Sequence, residues 1–167
     1  LAYIRFVVNP NDEEAFKRII NWPKRGIGNT SIAKLIVAGN ERNKTIWDTC
    51  KIASQIFPQR TATAFSNFVT LIESMQIEVQ QRNAYEAAEV IVKRSGLMKE
   101  YYEDKTMEGI ARYENIQELL NGIKEFVDDP EVEDKSLGSY LQQIALLTDQ
   151  DTDDGEGNDR VTLMTIH

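Results

Sequence analysis

The stretch "WPKRGIGNTSIAKL", residues 22–35, sets two glycines around one isoleucine and crowds them with basic side chains. Glycine at positions 26 and 28 permits a left-handed backbone and close approach of a ligand to the main chain. A helix starting just after Gly28 offers N–H groups with no intrahelical partner and the positive end of its dipole. Lys24, Arg25 and Lys34 add charge, Asn29, Thr30 and Ser31 add neutral donors, and Ile27 is expected to turn inward and pin the turn. Together these residues have the logic of a helix-hairpin-helix element that grips a DNA backbone through phosphates without reading bases. The pattern departs from the usual form. Proline is expected before the first glycine and a small residue four after the second, whereas Arg25 and Ile32 stand there, with Ala33 one step late. A plain interhelical turn is the competing reading of the same residues.

Other chemistry is scarce. No GxxxxGK[ST] run occurs, so the chain has no loop for nucleotide phosphates. Its one histidine is His167, which leaves no Ser-His-Asp or Cys-His set to assemble. Cys50 lies in "TIWDTCKIAS" at helical spacing and reads as a buried thiol, in a reducing, cytoplasmic setting. The carboxylate pairs Glu13/Glu14 and Asp128/Asp129 fall at expected helix ends, where charge and capping account for them. Residues 149–159, "DQDTDDGEGND", do not fit a calcium loop: counted from Asp149, position 6 is Asp154 and position 12 is Arg160, where glycine and a carboxylate are required. They read as an acidic flexible linker. No catalytic residue, metal ligand or cofactor is expected within the chain, so the chain alone is not expected to be an enzyme.

The elements that must position the turn follow from apolar spacing. "LAYIRFVV" reads as a helix end stopped by Asn9-Pro10. Asn11 or Asp12 caps a helix to about Asn21, with Asn11 and Glu14 approximating a capping box and Phe16, Ile19 and Ile20 on the inner side. Asn29, Thr30 or Ser31 caps the next helix, which carries Ile32, Leu35 and Ile36 inward and stops near Gly39-Asn40. "TIWDTCKIASQIF" is a short helix closed by Pro58. From about Thr61 to Arg82, the residues Phe65, Phe68, Ile72, Met75 and Val79 recur at helical spacing and read as core. Asn83 caps a helix that Gly96 ends in the left-handed conformation. "LMKEYYED" makes a short turn of helix. Ile116, Leu119, Leu120, Ile123 and Val127 mark a helix ended at 128–130, and Leu137, Tyr140, Leu141, Ile144 and Leu147 mark the last one. Val161, Leu163 and Thr165 alternate with their neighbours in "RVTLMTIH", a strand. The expectation is an all-α, bundle-like fold with a short terminal strand.

Length and composition fit this. With 167 residues, 41% hydrophobic and 28% charged, the chain can bury one core and has no apolar run near the roughly 20 residues of a membrane span. The net charge of −8 is unevenly spread: residues 1–60 carry ten Lys/Arg against five Asp/Glu, and residues 61–167 carry nine against twenty-two. One basic face on an acidic domain is enough to meet a polyanion. The apolar opening and the strand-like end read as a piece of something larger.

Three separated stretches carry a family resemblance. "LAYIRFVVNPNDEEAFKRIINWPKRGIGNTSI" resembles the segment entering subdomain 2B of UvrD/PcrA/Rep-type DNA helicases of superfamily 1. "ARYENIQELLNGIKEF" and "SLGSYLQQIALLTDQD" resemble later helices of that subdomain, and "RVTLMTIH" the start of helicase motif V. The resemblance implies the end of a motor-domain 2A helix at 1–8, helical subdomain 2B at 9–148, the linker at 149–159 and the motif V strand at 160–167. It implies that the Gly-Ile-Gly turn meets duplex DNA at a fork or strand junction. It also implies that Thr165 and His167 occupy single-strand-contacting positions of an incomplete motif, and that 2B swivels on connections near Asn9-Pro10 and the acidic linker. The parent would be a 3′–5′ helicase that uses ATP and Mg²⁺ in its other subdomains, with a repair or replication protein as a further partner. A protein-interaction module, whose acidic half (83–135) meets a partner while the turn is only structural, is the alternative.

Overall fold

A computed structural model describes residues 1–153, the last six of them by backbone alone. Nine α-helices follow in order: α1 (Ala2–Val8), α2 (Glu13–Ile19), α3 (Asn29–Glu41), α4 (Ile46–Lys51), α5 (Gln59–Val79), α6 (Ala84–Ser95), α7 (Leu97–Glu103), α8 (Met107–Asp128) and α9 (Leu137–Asp153), with a 3₁₀ turn at Ala53–Gln55. No strand occurs among the described residues, and the fold is all-α. The expected strand at 160–167, with Thr165 and His167, lies outside the described residues, as does the linker beyond Asp153. Helix α9 runs to Asp153, so the first five residues of the acidic stretch are helical rather than linker.

The core begins with an aromatic cluster that joins both ends of the first half. Phe6 of α1, Phe16 of α2, Trp47 of α4 and Phe68 of α5 meet with ring centroids 5.5–6.5 Å apart, several edge to face. Phe65, Phe68, Ile72 and Met75 of the long periodic segment are buried as expected. Helix α6 packs against α1, α5, α7, α8 and α9, and its Ala87, Ala88 and Ile91 let those helices close around it. Phe126 of α8 meets Tyr140 of α9 at 5.3 Å. Leu147, placed on the inner side of α9 by spacing, is exposed.

Several helix ends differ from the sequence reading, each for a local reason. Asp12, not an Asn11–Glu14 box, caps α2: its carboxylate accepts the Ala15 N–H at 2.9 Å, while the Asn11 N–H turns back to Asn9 Oδ1. Helix α2 ends at Ile19, two residues short of Asn21, whose side chain is used elsewhere. Helix α3 continues through Gly39 to Glu41, because Gly39 serves helix contact rather than termination; a Cβ there would sit 2.8 Å from Thr49 Oγ1 of α4. Asn83 and Gly96 do what was expected. Asn83 accepts the Glu86 N–H, and Gly96 adopts φ +81° between α6 and α7.

Helix α1 shares this core. Tyr3, Ile4, Phe6 and Val7 are all buried against α2, α5, α6 and α9. The Asn9-Pro10 connection, where the resemblance implies a pivot, directly follows this packed helix.

Candidate nucleic-acid interface

The turn between α2 and α3 is built on Asn21. Its Oδ1 accepts the backbone N–H of Arg25 at 2.8 Å and of Ile27 at 3.2 Å, which folds residues 21–27 into a closed loop. The Trp22–Pro23 peptide is cis. Gly26 takes φ +75°, the conformation its residue type permits, and Ile27 is fully buried in the core, as expected. Gly28 has an ordinary φ of −82° and is the N-cap of α3.

That cap corrects one expectation. None of Asn29, Thr30 or Ser31 caps α3; they are its first three residues, and no side chain accepts from its first turn. The Ser31 and Ile32 N–H groups return to the Gly28 carbonyl. The N–H groups of Gly26, Gly28, Asn29 and Thr30 meet no acceptor among the described residues, and these four residues are exposed. Lys24 is exposed beside them, and Lys34, also exposed, holds its Nζ 5.5 Å from the Phe57 ring. Neither lysine pairs with a carboxylate among the described residues. Exposed main-chain donors without partners, and lysines without carboxylate partners, are group types that an anion could satisfy.

Arg25, expected as a phosphate contact, turns inward. Its Nη1 donates to the carbonyls of Ile19 (2.9 Å) and Pro23 (3.1 Å), and its Nη2 donates to the Tyr3 hydroxyl at 2.6 Å. The guanidinium lies 5.9 Å from the Tyr3 centroid and 5.5 Å from that of Phe68. The planar fork suits this position because the end of α2 leaves carbonyls that need donors. The Tyr3 hydroxyl in turn donates to the Trp22 carbonyl at 2.6 Å. Burial raises its pKa above the ordinary value, against the pull of Arg25, and so keeps that proton in place.

Trp22 extends the turn toward the second half. Its Nε1 donates to the Tyr101 hydroxyl at 2.7 Å, and the Arg112 guanidinium packs over both rings at 5.7 and 5.8 Å. Sequence reasoning missed Asn21, Tyr3 and Tyr101. Only the four-residue offset from Asn21 to Arg25 is visible without coordinates, and it signals nothing by itself.

Burial pushes the Cys50 thiol pKa up, away from nucleophilic use. No group of three or more His, Cys, Asp or Glu side chains among the described residues could hold a metal ion. No GxxxxGK[ST] phosphate loop occurs in the sequence. No described helix is long and apolar enough to cross a membrane.

The sequence profile for the UvrD-like helicase C-terminal domain matches residues 1–167. The chain belongs to that family. It is 31% identical to DNA helicase II of Escherichia coli (strain K12) and 35% identical to ATP-dependent DNA helicase PcrA of Leuconostoc citreum. DNA helicase II of Haemophilus influenzae is 32% identical. All of this chain is covered in each case, but only 23–24% of each relative, so the chain spans about a quarter of the length of the curated relatives it matches.

Proposed function

We propose that this chain is the regulatory, duplex-contacting subdomain 2B of a 3′–5′ ATP-dependent DNA helicase acting in DNA repair or replication. The observation that carries the reading is the exposed run of unpartnered N–H groups at Gly26, Gly28, Asn29 and Thr30 with Lys24 and Lys34 beside it. Phosphate oxygens satisfy such donors whatever the base sequence, so contact is with backbone at a fork or strand junction. ATP and Mg²⁺ belong to other subdomains of the parent, which also supply the chemistry that moves the strand. This chain supplies no catalytic residue. The names of the relatives support the helicase reading, and a cytoplasmic, DNA-associated location goes with it.

The experiment is duplex binding by the protein at low salt, with Lys24→Glu/Lys34→Glu as the comparison. Reversing Arg25 would instead break the fold of the turn. With only a few phosphates engaged, the wild-type affinity should lie about 10⁻⁴ to 10⁻⁶ M and fall steeply with salt. The double variant should bind at least roughly tenfold more weakly, with its salt slope reduced by about 2. Equal binding by both proteins removes the turn from DNA contact.

The second reading, a protein-interaction module in the acidic half (residues 83–135), is favoured by one observation. Tyr102 and Met107, 65% and 83% exposed, stand with Ile110 on the tip of the α7–α8 hairpin. A repair or replication protein captured equally well by the wild type and the charge-reversed variant, with no duplex binding by either, would establish it.

A further inference from the structure

We infer that Asn21 and Arg25 are positioning residues of the duplex grip, and that neither touches the phosphates. This rests on the duplex-binding reading and goes beyond it, because it divides the basic turn into residues that contact the ligand and residues that hold them in place.

The geometry has two parts. The Asn21 carboxamide oxygen draws in alternate main-chain donors, the N–H groups of Arg25 and Ile27. The intervening donor, that of Gly26, and the following ones, at Gly28, Asn29 and Thr30, stay unpartnered on an exposed stretch. Within residues 25–27 the sorting of donors into inward and free sets is made by one oxygen atom, and the free donors that follow open α3. A side chain lacking that acceptor leaves the Arg25 and Ile27 N–H groups to seek water, and the free set loses its fixed arrangement.

Arg25 closes the loop from the other side. Its fork ties the end of α2, at Ile19, to Pro23 within the turn and to Tyr3 on α1. With three oxygen partners within 3.1 Å and two aromatic faces against it, the guanidinium is committed inward. A cation already satisfied by the protein displaces no counterion from DNA, whereas a solvated lysine that meets a phosphate does. A lysine in its place could keep the charge but not the planar fork.

The test is duplex affinity as a function of salt for Asn21→Ala, Arg25→Met and Arg25→Lys, beside Lys24→Glu and the wild type. Amide hydrogen exchange at Arg25 and Ile27 is followed in each protein. Asn21→Ala should lose affinity about tenfold, the size expected for two lost hydrogen bonds, with fast exchange at both amides and a salt slope unchanged. Arg25→Met and Arg25→Lys should weaken binding alike, again with slopes within about half a unit of wild type, while Lys24→Glu lowers its slope by about 1. Asn21→Asp keeps an oxygen acceptor in place and should keep slow exchange at both amides.

Rescue by Arg25→Lys, or a slope lowered by about 1 in Arg25→Met, would make Arg25 a phosphate contact and overturn its assignment. Asn21→Ala binding within twofold of wild type would overturn the assignment of Asn21. If one arginine variant fails to fold, the other and the asparagine variants still decide. Absence of duplex binding by the wild type sinks the duplex reading itself and this inference with it, an outcome separate from wild-type binding that the variants leave unchanged.

Discussion

Asp12 shows how one side chain can serve a helix and a charge pair together. Its carboxylate caps α2 through the Ala15 N–H and pairs with the Arg5 guanidinium at 2.7 Å. Burial opposes its charge, but the Ala15 N–H and Arg5 prevail and hold its pKa below the ordinary value of 3.8. A carboxyl whose folded pKa is depressed stabilises the fold above its unfolded pKa and loses that contribution as pH falls through the folded value. Thermal unfolding of Asp12→Asn, which can still cap, should therefore show a weaker acid dependence than wild type below about pH 4. Asp12→Ala should cost about 1 kcal/mol at neutral pH in urea denaturation. Identity at this scale was legible: an Asn-Asp pair before an apolar run announces a cap. Which of the two residues takes the role depends on the chain direction after Pro10, and that is not written in residue type.

At the scale of elements, two glycines that look alike in sequence do different work. Gly96 occupies φ +81° at the α6–α7 junction, and a Cβ there would meet only Pro23 Cγ at 3.7 Å, an ordinary contact. Gly96→Ala therefore costs only the left-handed backbone penalty, about 1–2 kcal/mol. Gly109 has a helical backbone, but a Cβ would run into the side chain and carbonyl of Asp104, which folds over the start of α8. Gly109→Ala forces main chain to move and should lower the unfolding free energy, measured by urea denaturation, by at least as much as Gly96→Ala, roughly 1–3 kcal/mol. Spacing identified Gly96 because a left-handed stop follows a periodic helix. It was silent on Gly109 and on the contact Gly39 makes, because residue type does not show that Asp104 folds over the start of α8 or that Thr49 packs against α3.

Across the whole molecule, the position of α1 matters most. Phe6 is fully buried and its ring meets Phe16, Trp47 and Phe68. Phe6→Ala should destabilise the entire body by about 3–5 kcal/mol, seen as one cooperative transition at lower urea rather than fraying of the first helix. Tyr3 also ties α1 to the turn through Trp22 and Arg25.

The sequence by itself determined the helical class, most helix positions, the inward Ile27 and the glycine and basic residue types that the turn carries. Those depend on local propensity and on the 3.6-residue period, which a reader can see along the chain. The tertiary structure alone decided which cation faces solvent. Lys24 and Arg25 are adjacent and equally basic in sequence, yet Arg25 is drawn inward by the Ile19 and Pro23 carbonyls and by Tyr3, twenty-two residues away. Charge is a property of a residue type. Whether that charge is free for a ligand depends on which unpaired oxygens the fold brings within reach of it.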